Sequence, residues 1–237
     1  MTMKLHILGC CGGWPWPGGA SSGYLVEKDD TLILMDCGSG VMSRLVGICD
    51  PKDLSAVVLS HLHYDHACDL TVMRYYLEKV GVTLPVYVPA EDQSPMRALL
   101  APPAFDVRPY PEKLTIGELE ISNLPVRHPV PCRALRITDG EKTLVFTGDT
   151  NDCPGLAEFA RDADVLLADA AFTEAEWHDQ LPHMSAAGAA RLARAAGAKK
   201  LYLTHLSHSH APETLQQEAA VIYPGAQAVH HGLVIEL

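Results

Sequence analysis

An α/β fold of two sheets packed face to face, with helices on their outer faces, is predicted by three observations. Strand-like and helix-like segments alternate along the chain, they do so in two roughly comparable halves, and no composition break separates the halves. A chain of 237 residues is long enough to bury a sizeable core, so one domain spanning residues 1–237 is expected.

The first quarter reads as strands. Apolar, β-rich runs at Lys4–Leu8, Tyr24–Glu27, Thr31–Met35 and Ala56–Leu59 are separated by Gly, Asp and Pro signals. From Asp65 to about Val80 the pattern turns helical, and a strand-rich stretch with many prolines then runs from Leu84 through Lys113 to Phe146. Within it, Pro95 to Pro111 reads as loop and edge. Further on, the alanine-rich run Ser185 to Ala196 is a helix that Ser185 can N-cap and Gly197 can stop. A strand at Lys200–Leu203 follows directly.

Composition narrows the function classes. The chain is 48% hydrophobic and 20% charged, as expected of an ordinary globular protein. No apolar run reaches the length of a membrane span, and MTMKLHILGCCGG turns glycine-rich before a signal-peptide core could form, so a cytoplasmic location is expected. Seven cysteines, odd in number and without C-x-x-C spacing, suggest free thiols rather than a disulfide framework or a structural zinc site. A net charge of -11 argues against nucleic acid as a partner, because affinity for a polyanion comes from neutralising phosphates with Lys and Arg. A small anionic or neutral substrate drawn to a metal pocket stays compatible.

The chemistry concentrates in Ser60-His61-Leu62-His63-Tyr64-Asp65-His66, which follows the apolar run Ala56 to Leu59 and offers four candidate ligands within six residues. His61 and His63 flank one residue, so at an extended strand exit their imidazoles can turn to one side and clasp an ion. Asp65 and His66 fall where the chain enters a helix and can face a second ion. Three later strand ends supply His128, Asp149 and His205. A carboxylate can bridge two metals about 3.5–4 Å apart, whereas histidine cannot do so without losing its proton. Asp149 is therefore expected between one ion held by His61, His63 and His128 and another held by Asp65, His66 and His205. A lone histidine at a strand end is ordinarily a surface residue; the dense cluster and its ordered partners make the difference. Such a centre activates water and polarises an electrophile, which points to hydrolysis with two divalent cations, zinc by default, manganese or iron as alternatives.

These segments, together with Leu34-Met35-Asp36-Cys37-Gly38, Thr147-Gly148-Asp149-Thr150 and Leu203-Thr204-His205, resemble the ordered motifs of the metallo-β-lactamase superfamily across most of the chain. The resemblance implies a four-layer αββα sandwich with a dinuclear site at one edge. It also implies that Asp36 orients a ligand rather than binding metal; a turn aspartate is the plain alternative. The tail is similar to the ribonuclease Z branch, which implies that His183 acts as a general acid or orients the scissile phosphate, with a loop histidine as the alternative. Asp169 stands where that branch has a glutamate in a His-Glu-Ala-Thr stretch, but its flanks, Ala168 and Ala171, depart from the pattern. The chain also shows no long Gly/Pro- and Lys-rich insertion between Asp149 and His183 of the kind used to grip tRNA.

A dinuclear phosphodiesterase for a small phosphodiester or cyclic phosphate is therefore expected, with metal hydroxide as nucleophile positioned by Asp65, and His183 assisting the leaving group. Three alternatives stand beside it: a thioester or lactone hydrolase, a tRNA 3′-processing endonuclease, and a non-catalytic metal-binding or redox protein. Diiron oxidoreductases on this scaffold carry Glu where this chain has His63. The branch also implies a possible homodimer. The loop Gly12 to Gly19, with Trp14 and Trp16, either lines the pocket or is a plain tight loop. Ser21-Ser22-Gly23 either binds phosphate or forms a turn. His208 and His210 read as exposed loop residues, and His230 and His231 as a turn between the last two strands.

Overall fold

The computed structural model describes residues 2–237. Its strands are β1 (Lys4–Gly9), β2 (Gly23–Lys28), β3 (Thr31–Cys37), β4 (Ala56–Val58), β5 (Leu84–Val88), β6 (Phe105–Pro109) and β7 (Leu114–Ile116). They continue with β8 (Leu119–Val126), β9 (Cys132–Thr138), β10 (Thr143–Phe146), β11 (Val165–Asp169), β12 (Leu201–Thr204), β13 (Gln227–Ala228) and β14 (Val234–Glu236). Among the described residues these form two seven-stranded sheets, ordered β14-β1-β2-β3-β4-β5-β6 and β13-β12-β11-β10-β9-β8-β7. Each sheet is antiparallel at one end and parallel at the other: β3 to β6 run parallel in the first, β10 to β13 in the second. The halves are not strictly separate, since β14 returns to pair with β1.

Alternation places the core. On β2 and β3, Tyr24, Val26, Ile33 and Met35 join Leu135, Val145 and Leu167 in one buried cluster between the sheets. Their neighbours Leu25 and Leu34 point the other way and pack with Met73 and Leu77 of the helix Leu70–Val80. The helix Ala186–Ala196 buries Ala186, Ala189, Ala190 and Ala193 against the second sheet, its small side chains allowing close approach. The order is thus helix, sheet, sheet, helix: the αββα sandwich expected. Ser185 Oγ accepts from Gly188 N–H at 2.9 Å and Gly197 stops the helix at φ 65°.

Two expectations are adjusted. The helix expected from Asp65 to Val80 is broken into Tyr64–Ala67 and Leu70–Val80. In a continuous helix Asp69 N–H would bond the Asp65 carbonyl; instead it donates to Cys37 O at 3.1 Å, while Asp69 Oδ2 accepts from Met42 N–H at 2.9 Å. Gly38 packs directly on the Asp65 carbonyl, where a Cβ would lie 1.8 Å from the oxygen. The Pro-rich segment does hold the edge strand β6, but Pro95–Leu99 forms a short helix. The helix Pro212–Ile222 was not expected, although Pro212 sits at its first turn, where a missing N–H costs nothing. Among the described residues no helix is long and apolar enough to cross a membrane.

Candidate metal centre

Strand ends build the site. His61 lies just beyond β4, His128 just beyond β8, Asp149 beyond β10 and His205 beyond β12, while Asp36 and Asp169 stand near or at the ends of β3 and β11. Carboxyl ends of parallel strands are where open α/β sheets place ligands. The two backbone positions at positive φ that matter here are Asp36 (56°) and His205 (53°), conformations that the surrounding hydrogen bonds and packing must hold. Gly148, at φ 60°, precedes Asp149 where a Cβ would come within 2.7 Å of Arg133 O.

All seven side chains expected to act together are brought together. His63 Nδ1 lies 3.0 Å from His61 Nε2 and 3.2 Å from His128 Nε2. Asp149 Oδ2 lies 3.6 Å from His61 Nε2 and 3.1 Å from His66 Nε2, while its Oδ1 lies 3.2 Å from His205 Nδ1. Asp65 Oδ2 lies 3.5 Å from His66 Nε2. The donor atoms form overlapping groups, His61 with His63 and His128, and Asp65 with His66 and His205, and Asp149 reaches into both neighbourhoods.

The hydrogen bonds behind the imidazoles fix where their protons sit. Asp36 accepts from Ser60 N–H and from Ser60 Oγ–H, both at 2.7 Å, and from His66 Nδ1 at 2.8 Å. Because Ser60 spends its one hydroxyl proton on Asp36, its Oγ is the acceptor for His61 Nδ1 at 3.0 Å. Behind His128, the acceptor is Pro182 O, 3.3 Å from Nδ1. In His61 and His128 the proton is thus held outward on Nδ1 and the Nε2 lone pair turns inward, while His66 turns Nδ1 outward to Asp36 and Nε2 inward toward Asp149. His63 Nδ1 can donate to at most one of the two lone pairs it faces. Converging, unprotonated nitrogens next to carboxylates are what a divalent cation requires.

Electrostatics agrees. Burial keeps His61, His63 and His205 below the usual histidine range and pushes His128 down to about 4, so these rings are neutral. Burial opposes the charge on Asp65, yet the imidazole of His66 brings its pKa down to about 2. His66 goes the other way: burial opposes its charge, but Asp149, Asp36 and Asp65 together lift it well above its usual range. These carboxylates favour a positive charge at His66, which a divalent cation would supply in place of the proton. The residues fit a divalent metal ion.

Beside the cluster stands His183, stacked on His205 with centroids 4.7 Å apart and planes at 20°. Its Nδ1 lies 2.7 Å from Asp169 Oδ2, which also accepts from Thr150 N–H at 2.9 Å. Burial disfavours charge on His183, but the Asp169 carboxylate overrides it and pushes the pKa up to about 9. A carboxylate therefore does back His183, despite the unfamiliar flanks of Asp169. The sequence held a signal for it: Val165-Leu166-Leu167-Ala168-Asp169 is an apolar run ending in Asp, as is Leu32-Ile33-Leu34-Met35-Asp36. The main-chain partners had none, because Pro182 O and Gly13 N–H, which donates to Asp65 Oδ2 at 2.9 Å, exist only through the fold.

The cluster opens into a cleft of about 480 Å³ lined by Trp14, Pro129, Phe172, Pro182 and His208 besides the site residues, with no Lys or Arg among its lining side chains. Of the two readings of the Gly12 to Gly19 loop, its first residues line the cleft. Ser22 Oγ lies 3.2 Å from His205 Nδ1, backing a ring. His208 is exposed as expected and lies at the cleft mouth; His210 is half-buried and pairs with Glu176 at 2.5 Å. His230 and His231 lie between β13 and β14.

Two sheets between helices, with this donor set at one edge, define a metallo-hydrolase of the beta-lactamase superfamily. The chain belongs to that family: residues 31–206 match its domain, described as "Beta-lactamase superfamily domain". It is similar to the probable metallo-hydrolase YhfI of Bacillus subtilis, 37% identical over 231 residues that cover 94% of this chain and 95% of the relative. The crystal structure of that metallo-beta-lactamase fold protein superposes with a TM-score of 0.95, covering 99% of each chain at 35% identity. Ribonuclease Z of Haloferax volcanii is 26% identical over 290 residues, covering 95% of this chain and 92% of the relative. A diphosphatase from the PhnP family shares the fold at a TM-score of 0.80 and 21% identity, covering 99% and 98% of the two chains.

Proposed function

We propose that this protein is a dinuclear metal phosphodiesterase acting on a small phosphodiester or cyclic phosphate. The observation that carries the reading is the Asp169–His183 pair beside the histidine cluster, because an imidazole whose Nδ1 is held by a buried carboxylate at the edge of a water-activating centre can pass a proton to a poor alkoxide leaving group. His61, His63 and His128 would hold one cation, Asp65, His66 and His205 the other, with Asp149 shared. When bound, the cations supply an activated water and Lewis acidity toward the phosphoryl oxygens. Asp65, ionised and tethered by Gly13 N–H, is an acceptor that orients the attacking water. His183 keeps Nδ1 on Asp169, which leaves Nε2–H to donate a proton to the departing oxygen. The absence of Lys and Arg from the cleft lining, with the net charge of -11, favours a small substrate over tRNA.

The test is turnover of bis(p-nitrophenyl) phosphate, lost on chelation and regained with zinc or manganese. His183→Ala is expected to abolish most turnover of a cyclic phosphodiester with an alkoxide leaving group while retaining metal, and to spare much of the turnover of bis(p-nitrophenyl) phosphate, whose p-nitrophenolate departs with little need of a proton. Hydrolysis of thioesters or lactones that is indifferent to His183, with no phosphodiester turned over, would overturn the proposal in favour of carbonyl chemistry.

A further inference from the structure

We propose that the open face of Trp14 is a stacking shelf for a planar aromatic group carried by the substrate. The inference rests on the phosphodiester reading only in naming the anionic end of that substrate. Trp14 is 65% exposed although it lines the same cleft as His63, Asp65 and His183. A large indole left this open would ordinarily be mobile, yet one face of this one is covered. The His208 ring lies parallel to it, centroids 4.7 Å apart and planes at 17°, and His208 Nε2–H donates to Trp14 O at 2.6 Å. Trp16 meets His208 edge-on, at 5.4 Å and 69°. With one face covered by His208, the exposed area includes the opposite face.

The shelf is also tied to the chemistry. Gly13, the residue before Trp14, donates its N–H to Asp65 Oδ2 at 2.9 Å, and Gly12 N–H donates to Leu206 O, next to His205, at 3.0 Å. The indole therefore stands at a set offset from the donor cluster. Phe172, Pro129 and Pro182 supply further apolar lining, and no Lys or Arg offers a second anchor for charge. A cleft with one anion-binding end and an aromatic wall takes a ligand with one compact anionic group and a flat ring, rather than a polyanion. The ring can be a simple aryl ester or a heterocyclic base; both present the same π-face.

Calorimetric titration of the metal-loaded protein with phenyl phosphate, adenosine monophosphate and methyl phosphate reads the shelf. A ring preference of roughly tenfold over methyl phosphate is expected, the usual scale of one stacking contact. It should be lost in Trp14→Ala, largely kept in Trp14→Phe, weakened in His208→Ala, and accompanied in the wild type by a saturable change in tryptophan fluorescence. The larger preference, phenyl or adenosine, identifies the kind of ring. Phenylacetate against acetate repeats the comparison without phosphorus. Ring preference in that pair with no turnover of any phosphodiester keeps the shelf and sinks the phosphodiesterase reading. Equal affinities with and without a ring in both pairs, unchanged by Trp14→Ala, overturn the shelf whatever the turnover.

Discussion

The two sheets deliver their side chains to the cleft in different ways. The first sheet does it with a single segment: His61, His63, Asp65 and His66 leave β4 together, and Asp36 on the adjacent β3 holds two of their rings, one directly and one through Ser60. The second sheet contributes one residue per strand end, His128 after β8, Asp149 after β10, Asp169 at the end of β11 and His205 after β12. Density on the first side is local, set by spacing along one segment. Convergence on the second side depends on strand order, because β8 to β12 must lie side by side for their ends to meet. The site is therefore most vulnerable where a second-sheet residue touches what the first sheet presents.

His128 meets His63, but Asp149 reaches both His61 and His66, so Asp149→Ala should have the largest effect. Elemental analysis is expected to show loss of bound metal, and kcat/KM on bis(p-nitrophenyl) phosphate should fall on the order of 10⁴-fold, several kcal/mol of transition-state stabilisation. Near-normal metal content would show that the two neighbourhoods are independent and undo the comparison.

His183→Ala comes next, with a loss of about 10²–10³ in kcat on a phosphodiester with an alkoxide leaving group, at unchanged metal content, within the range for one general acid. The same pair carries a pH signature. In the metal-free protein His183 is expected to titrate near 9, above its ordinary value of about 6.5. The sign follows: a raised pKa means that the folded state binds the proton more tightly than the unfolded chain does. The stability this adds is fully present below about pH 6.5 and is lost as pH rises through about 9. Asp169→Asn should move the imidazole titration, followed by NMR, back toward the ordinary value; an unmoved titration would remove Asp169 as the cause.

A smaller effect is expected on the first side. Asp36→Asn keeps the shape but weakens the hold on His66 and Ser60, which should lower metal affinity by about 10–100-fold, measured by competition with a chelator. A smaller one still lies in the loop that carries Pro182 and His183. Buried Asn151 donates to Leu181 O at 2.7 Å and accepts from Trp177 Nε1–H at 3.2 Å. Asn151→Ala should cost about 1–2 kcal/mol, a fall of a few degrees in Tm by calorimetry, without loss of metal.

The same asymmetry sets how much was legible in advance. The sheet-on-sheet fold followed from alternation of apolar runs, and the helix Ala186–Ala196 from its Ser and Gly ends. The gathering of His61, His63, Asp65 and His66 is a matter of spacing. Gathering His128, Asp149 and His205 took the further premise that each sits just past a strand. What escaped was set by main chain and by tertiary contact. Asp69 N–H turns to Cys37 O and splits a helix whose periodicity reads as continuous, and Pro182 O fixes a histidine tautomer from a residue with no side-chain donor.

The most direct test is anomalous diffraction at the zinc absorption edge from crystals grown with zinc. Two peaks about 3.5–4 Å apart are expected, one among His61, His63 and His128, the other among Asp65, His66 and His205, with Asp149 touching both. A single ion remote from Asp149, or zinc bound only at the protein surface, would contradict the account.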